Sequence, residues 1–210
     1  MKRWKLAAIA GGGAALVGAV ALAVWIIITI TTVGPSTFNT GVATGASSLA
    51  LRDNTCVTAK TRDIWPVMTG AQPGALVSGE VCACNDAGGS PLIFAITSTN
   101  TNAVLSAGLV ARVTVTGIVA GSSPPACQSP SLNTDGSRVA SVTQDELYFG
   151  PLAGLKAGDP LAGRQTGDQA LDGGGFCERV CVTVALPLAA GAELSSLNND
   201  TDVLFHHQQQ

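Results

Sequence analysis

The sequence predicts an all-β domain of the sandwich or barrel class, and three observations carry that prediction. Hydrophobic residues make up 46% of the 210-residue chain and charged residues 12%, about half the usual share of charge. Thr, Val, Ser and Ala abound while helical blocks of Leu, Glu and Lys are scarce, which favours strands. Short apolar runs also recur between Gly- and Pro-rich turn signals, the rhythm of a sandwich. At this length one domain buries most of its apolar surface. The apolar content excludes a disordered tail protein. With a net charge of −3 and only Lys60 and Lys156 beyond Lys5, there is no basic stripe to neutralise phosphates. Nucleic acid is therefore not an expected partner.

The chain divides into three parts. Residues 1–23 read as an export signal: Lys2, Arg3 and Lys5 open the chain, and no charge follows from Leu6 to Val33. Ala21 and Ala23 supply the small residues a signal peptidase needs, so cleavage is expected after Ala23. The competing reading is an uncut membrane anchor, because the uncharged stretch exceeds the roughly 20 residues that cross a bilayer. Cleavage leaves eight basic and fourteen acidic side chains, a mature net charge of −6.

Residues 24–36 form the second part, an N-terminal arm and hinge. Val24-Trp25-Ile26-Ile27-Ile28-Thr29-Ile30-Thr31-Thr32-Val33 is almost wholly β-branched, a poor helix and a good strand. Trp25, Ile27, Thr29, Thr31 and Val33 share one face, and Ile26, Ile28 and Ile30 the other. Left in water this run is an aggregation hazard. Gly34-Pro35 behind it is a hinge signal, because proline cannot continue a ladder. Three fates are open: a strand added to a neighbouring subunit, the first strand of the chain's own sandwich, or part of an anchor. Burying Trp25 and the three even-face isoleucines would contribute on the order of 10 kcal/mol gross.

Residues 37–210 are the sandwich. Its expected strands are 48–51, 75–84, 92–97, 109–119, 139–149, 179–186 and 201–205, with a short helix near 152–155. Residues 120–136 read as a loop tethered through Cys127. Six cysteines, Cys56, Cys82, Cys84, Cys127, Cys177 and Cys181, all follow the export segment, so three disulfides and no free thiol are expected. Fifteen pairings are open. Cys82 and Cys84 share one strand face and are too far apart to pair easily with each other. Cys181 is out of phase with Val180, Val182 and Val184, which puts its sulfur opposite the core. The competing four-thiolate zinc site has the wrong spacing for common zinc knuckles.

Four stretches, in order, resemble the TasA/camelysin family of exported proteins, whose members form biofilm matrix fibres and archaeal bundling pili. They are Thr37-Phe38-Asn39-Thr40-Gly41 with Ser47-Ser48-Leu49-Ala50-Leu51, then Met68 through Pro73-Gly74 and Gly79 to Cys82-Ala83-Cys84-Asn85, then Gly150-Pro151-Leu152 to Leu155 with Gly158 and Leu161, and Val180-Cys181-Val182 to Pro187 leading to Val203-Leu204-Phe205 and His206-His207-Gln208. The resemblance implies a jelly-roll sandwich whose N-terminal segment is added as a strand to the next subunit. The implied product is an extracellular head-to-tail homopolymer, with lateral bundling as a further expectation and the membrane met only during export or as the alternative anchor. Six cysteines and His206-His207 depart from the family pattern.

No chemistry is expected, and no cofactor. The two histidines, His206 and His207, are neighbours on a closing strand and so point to opposite faces, where they cannot share a metal. No Gly-x-Ser-x-Gly elbow or His-Glu-x-x-His is present. Asp145-Glu146 reads as a solvated turn, Asn198-Asn199-Asp200 with Asp202 as a capped loop, and Asn199-Asp200-Thr201 as a glycosylation sequon.

Overall fold

The computed structural model describes residues 26–33, 37–40, 49–57, 72–86, 91–120, 124–158 and 169–209. In chain order the strands are β1 (Ile26–Val33), β2 (Thr37–Thr40), β3 (Leu49–Arg52), β4 (Leu76–Asn85), β5 (Leu92–Asn100), β6 (Val110–Val115), β7 (Val119–Ala120), β8 (Asp145–Pro151), β9 (Lys156–Ala157), β10 (Gln169–Leu171), β11 (Phe176–Ala185) and β12 (Thr201–Gln209). Among the described residues one α-helix, α1 (Ala103–Gly108), lies between β5 and β6.

The strands form two antiparallel sheets. The first runs β10-β5-β12-β1-β2 with β9 on β5, the second β3-β4-β11-β6-β8 with β7 on β11. Among the pairings β1 joins β12, β4 joins β11, β5 joins β10 over three residues and β6 joins β8. First with last, second with next-to-last, and so inward, is an eight-stranded hairpin rolled up. That is a jelly-roll sandwich.

Side-chain alternation explains why the sheets stack. On β11, Val180, Val182 and Val184 enter one core with Val81, Val113 and Phe205. Phe94 and Phe205 meet there at 6.0 Å between ring centroids. The intervening β11 residues point the other way and are buried as well, because the loop 124–144 lies over them. Arg179 Nη2 donates to the Pro124 carbonyl at 3.2 Å, the Ser131 N–H donates to Thr183 Oγ1 at 3.1 Å, and Cys127 is joined to Cys181. Cys181 thus faces away from the core, as its phase requires.

All six cysteines are paired: Cys56 with Cys82, Cys84 with Cys177, and Cys127 with Cys181. Cys84 and Cys177 stand directly opposite in the β4–β11 ladder. Cys56, Cys82, Cys84 and Cys177 form a small buried cluster of their own, apart from the main core. This pairing leaves no thiolate for zinc and is compatible with an oxidising environment. Replacing Cys127 and Cys181 together by alanine is expected to cost roughly 2–4 kcal/mol while both sheets persist. Limited proteolysis should then cut first within 124–144, and cleavage elsewhere would contradict the covering role of that loop.

The structure refines several sequence boundaries. The run 109–119 is two strands, since β11 pairs Val180 with Val115 but Cys177 with Val119. The β6–β7 side carries one extra residue, a bulge at Gly117-Ile118. Residues 139–144 are loop rather than strand: Gln144 Oε1 accepts from the Gln128 N–H at 3.1 Å and from Thr114 Oγ1 at 3.2 Å. The helix expected near 152–155 is a 3₁₀ turn at Leu152–Gly154. Pro73-Gly74 makes the turn into β4, where the Ala75 N–H donates to the Gln72 carbonyl at 2.8 Å. Gly74 has φ +91°, a backbone conformation that L side chains rarely adopt, which favours glycine there.

Candidate functional site: the N-terminal strand and the edge it covers

Strand β1 lies along one edge of β12 in the same chain, antiparallel, from Ile26 opposite His207 to Thr31 opposite Asp202. Its far end also pairs with β2, antiparallel, with Ile30 opposite Thr40 and Val33 opposite Thr37. The register sets Ile26, Ile28 and Ile30 against His207, Phe205 and Val203, and Ile27, Thr29 and Thr31 against His206, Leu204 and Asp202. His207, Phe205 and Val203 are buried, Val203 and Phe205 within the main core. Ala21, Ala23, Val24, Trp25, Gly34 and Pro35 lie outside the described residues.

β12 is held independently of β1. On its other edge it pairs with β5 over its whole length, from Thr201 opposite Asn100 to Gln209 opposite Leu92. Its start is clasped by side chains. Asn199 Nδ2 donates to Asn100 Oδ1 at 3.1 Å and to Thr201 Oγ1 at 2.8 Å, while Asn199 Oδ1 accepts from the Asn102 N–H at 2.9 Å. Asn102 in turn caps α1, its Oδ1 accepting from the Leu105 N–H at 2.9 Å. The Asn199-Asp200-Thr201 sequon is therefore part of a hydrogen-bonded junction in the fold. Stripping β1 from β12 breaks no ladder bond between β12 and β5, nor any in the second sheet.

The titratable groups near this edge are few. His206 and His207 sit side by side on β12 with opposite orientation. His206 Nε2 is 2.8 Å from Thr97 Oγ1, and burial holds its pKa below the usual histidine value, so the ring is neutral at pH 7. No group of three His, Cys, Asp or Glu side chains able to hold a metal occurs among the described residues. Asp145 and Glu146 open β8 instead of forming a turn. Glu146 receives Arg112 Nε at 2.8 Å and Arg138 Nη2 at 2.7 Å, and these guanidinium groups, Arg138 first, hold its carboxyl below the ordinary range.

Three features escaped the sequence reading. β2 is four residues long, too short for a periodic signal. The Asn199 junction joins residues about a hundred positions apart, and only the sequon hinted at it. Glu178 is the third: it lies on the core-facing side of β11, 3% exposed, with Oε2 lacking a hydrogen-bond partner among the described residues. Its place in the alternation with Val180 and Val182 is the signal that marks it.

No family model, no curated protein and no solved structure matches this chain.

Proposed function

We propose that the chain is an extracellular structural subunit that polymerises into filaments, its N-terminal strand being added to the β12 edge of the next subunit. The observation that carries this reading is the independence of β12: held by β5 and by the Asn199 junction, it remains an ordered acceptor when β1 is elsewhere. Backbone pairing then supplies affinity and register, and alternate side chains supply specificity. The contact is heterologous and need not close, so it propagates head to tail. On this reading the protein is a TasA/camelysin-like fibre subunit, which the order of its motifs supports, and its work is structural rather than catalytic.

Three disulfides suit a fibre outside the cell, and lateral bundling would follow from side-by-side packing of the sandwiches.

The pairing of β1 with its own β12 favours one second reading, a closed monomer at the cell surface, tethered if residues 1–23 are retained. Electron microscopy of the native exported protein with N-terminal sequencing of the same sample separates the two. Filaments whose subunits begin at or near Val24 are expected. Dispersed particles beginning at Met1 would make the protein a tethered surface domain.

A further inference from the structure

We propose that the unit passed to the neighbouring subunit is the hairpin β1–β2, residues 26–40, and not β1 alone. This rests on the strand-addition reading above and changes where the chain crosses between subunits. The sequence placed the hinge at Gly34-Pro35. In the structure Val33 is paired with Thr37, Thr32 with Phe38, Thr31 with Asn39 and Ile30 with Thr40, so residues 34–36 link the two strands of a hairpin.

The sheet order carries the inference. Among the described residues β2 is the last strand of its sheet and β1 is its sole ladder partner. Ile30 and Thr31 are paired on both sides at once, to Val203 and Asp202 of β12 and to Thr40 and Asn39 of β2. If β1 left alone, β2 would be a four-residue strand with no ladder at all, and so short a strand does not stand by itself. If the hairpin leaves as a unit, every β1–β2 bond is kept and only the β1–β12 pairing is exchanged for an identical one on the next subunit.

Chain length points the same way. A crossing at residues 34–36 confines the donor's Val33 to within about 14 Å of its own Thr37, since an extended chain spans at most ~3.6 Å per residue. That distance is less than half of a ten-residue strand such as β4, which is roughly 33 Å long. A crossing between Thr40 and Leu49, where β3 begins, spans up to about 32 Å. It therefore lets the arm reach a neighbour one sandwich length away.

The test is a covalent lock on the hairpin in the full exported chain. All native cysteines are in disulfides, so an added pair is free to close on itself. Thr32→Cys with Phe38→Cys, and separately Thr31→Cys with Asn39→Cys, places a bridge on each face of the hairpin, so that one falls at a pair suited to a disulfide. In parallel, Thr29→Cys with Leu204→Cys joins β1 to β12 and reports whose β12 it is. Expected are filaments from the locked hairpins with yield and length like those of the single-cysteine controls, and a ladder of covalent oligomers from the 29/204 pair. Locked hairpins that stay monomeric, while the controls polymerise and the 29/204 ladder forms, would mean that β1 is donated alone and would overturn the hairpin. Filaments in which the 29/204 bridge is only intramolecular, or no filaments from the parent chain, would overturn strand addition itself and the hairpin with it.

Discussion

Deleting residues 24–33 is expected to abolish polymerisation while leaving a folded, monomeric sandwich. The strand opens an edge when it goes, but it removes nothing from the ladder that joins β12 to β5 or from the β3-β4-β11-β6-β8 sheet. The three disulfides lie entirely downstream and continue to restrict the unfolded chain. The expected loss is still large, because burying Trp25 and the three even-face isoleucines of the arm would contribute on the order of 10 kcal/mol gross before ordering costs. The truncated protein should melt at a lower temperature, and a synthetic peptide of residues 24–33 with a lysine tail for solubility should raise that temperature in a saturable way. The same peptide added to the intact protein should shorten filaments by occupying acceptor edges. Sedimentation, calorimetry and electron microscopy read these outcomes. Polymers that persist after the deletion would contradict strand addition, and a truncated chain that cannot fold would assign the strand to its own sandwich.

Glu178→Gln is expected to stabilise the folded protein by several kcal/mol at pH 8 and above and to change little at pH 4. Glu178 lies in line with Val180 and Val182 on the core face of β11, opposite Ala83. Burial, helped by the nearby negative charge of Asp145, pushes its pKa up to about 8. The folded protein therefore keeps this proton up to about pH 8, whereas the unfolded chain releases it near the ordinary value of 4.5. Between those limits the unfolded state binds fewer protons, so stability falls as pH rises, by up to about 1.4 kcal/mol per pH unit, and levels off above pH 8. Solvent relaxation around a buried carboxyl reduces the total, and roughly 3–5 kcal/mol is an upper range. Glutamine keeps the shape and cannot ionise, so the difference between variant and parent should grow from pH 4.5 to pH 8. Denaturant melts of both proteins at pH 4, 6 and 8 measure it. A difference that stays constant across that range would show that Glu178 titrates normally.

The two predictions rest on parts of the fold that were unequally legible. Strict alternation in 179–186 and 201–205 identified both central strands and, on the first, the side occupied by Cys181, because a period of two leaves only one assignment of faces once one face is apolar. The same alternation put Cys82 and Cys84 on one face and ruled out a bond between them. It could not choose their partners, since Cys56 reaches Cys82 through an irregular segment and Cys177 reaches Cys84 only once the β4–β11 register is known. α1 was invisible for a related reason. Its six residues, Ala-Val-Leu-Ser-Ala-Gly, are too few for a helical period, and its start is set by the Asn102 cap and by Leu105 entering the core. Strand β1 was legible from composition alone, as an uncharged β-branched run with nowhere to go in water. What it pairs with was not, because an acceptor edge is defined by sheet order and not by any residue pattern.

Sheet order also decides where the central claim is exposed to test. A helical reconstruction of the native filament, at a resolution that traces the main chain through residues 26–49, follows each β1 to the β12 it lies against. Strand addition requires that strand to belong to the adjacent subunit, with Ile26 opposite the neighbour's His207 register position and β2 travelling beside it. Filaments in which every β1 returns to its own β12, the subunits meeting by some other surface, would contradict it.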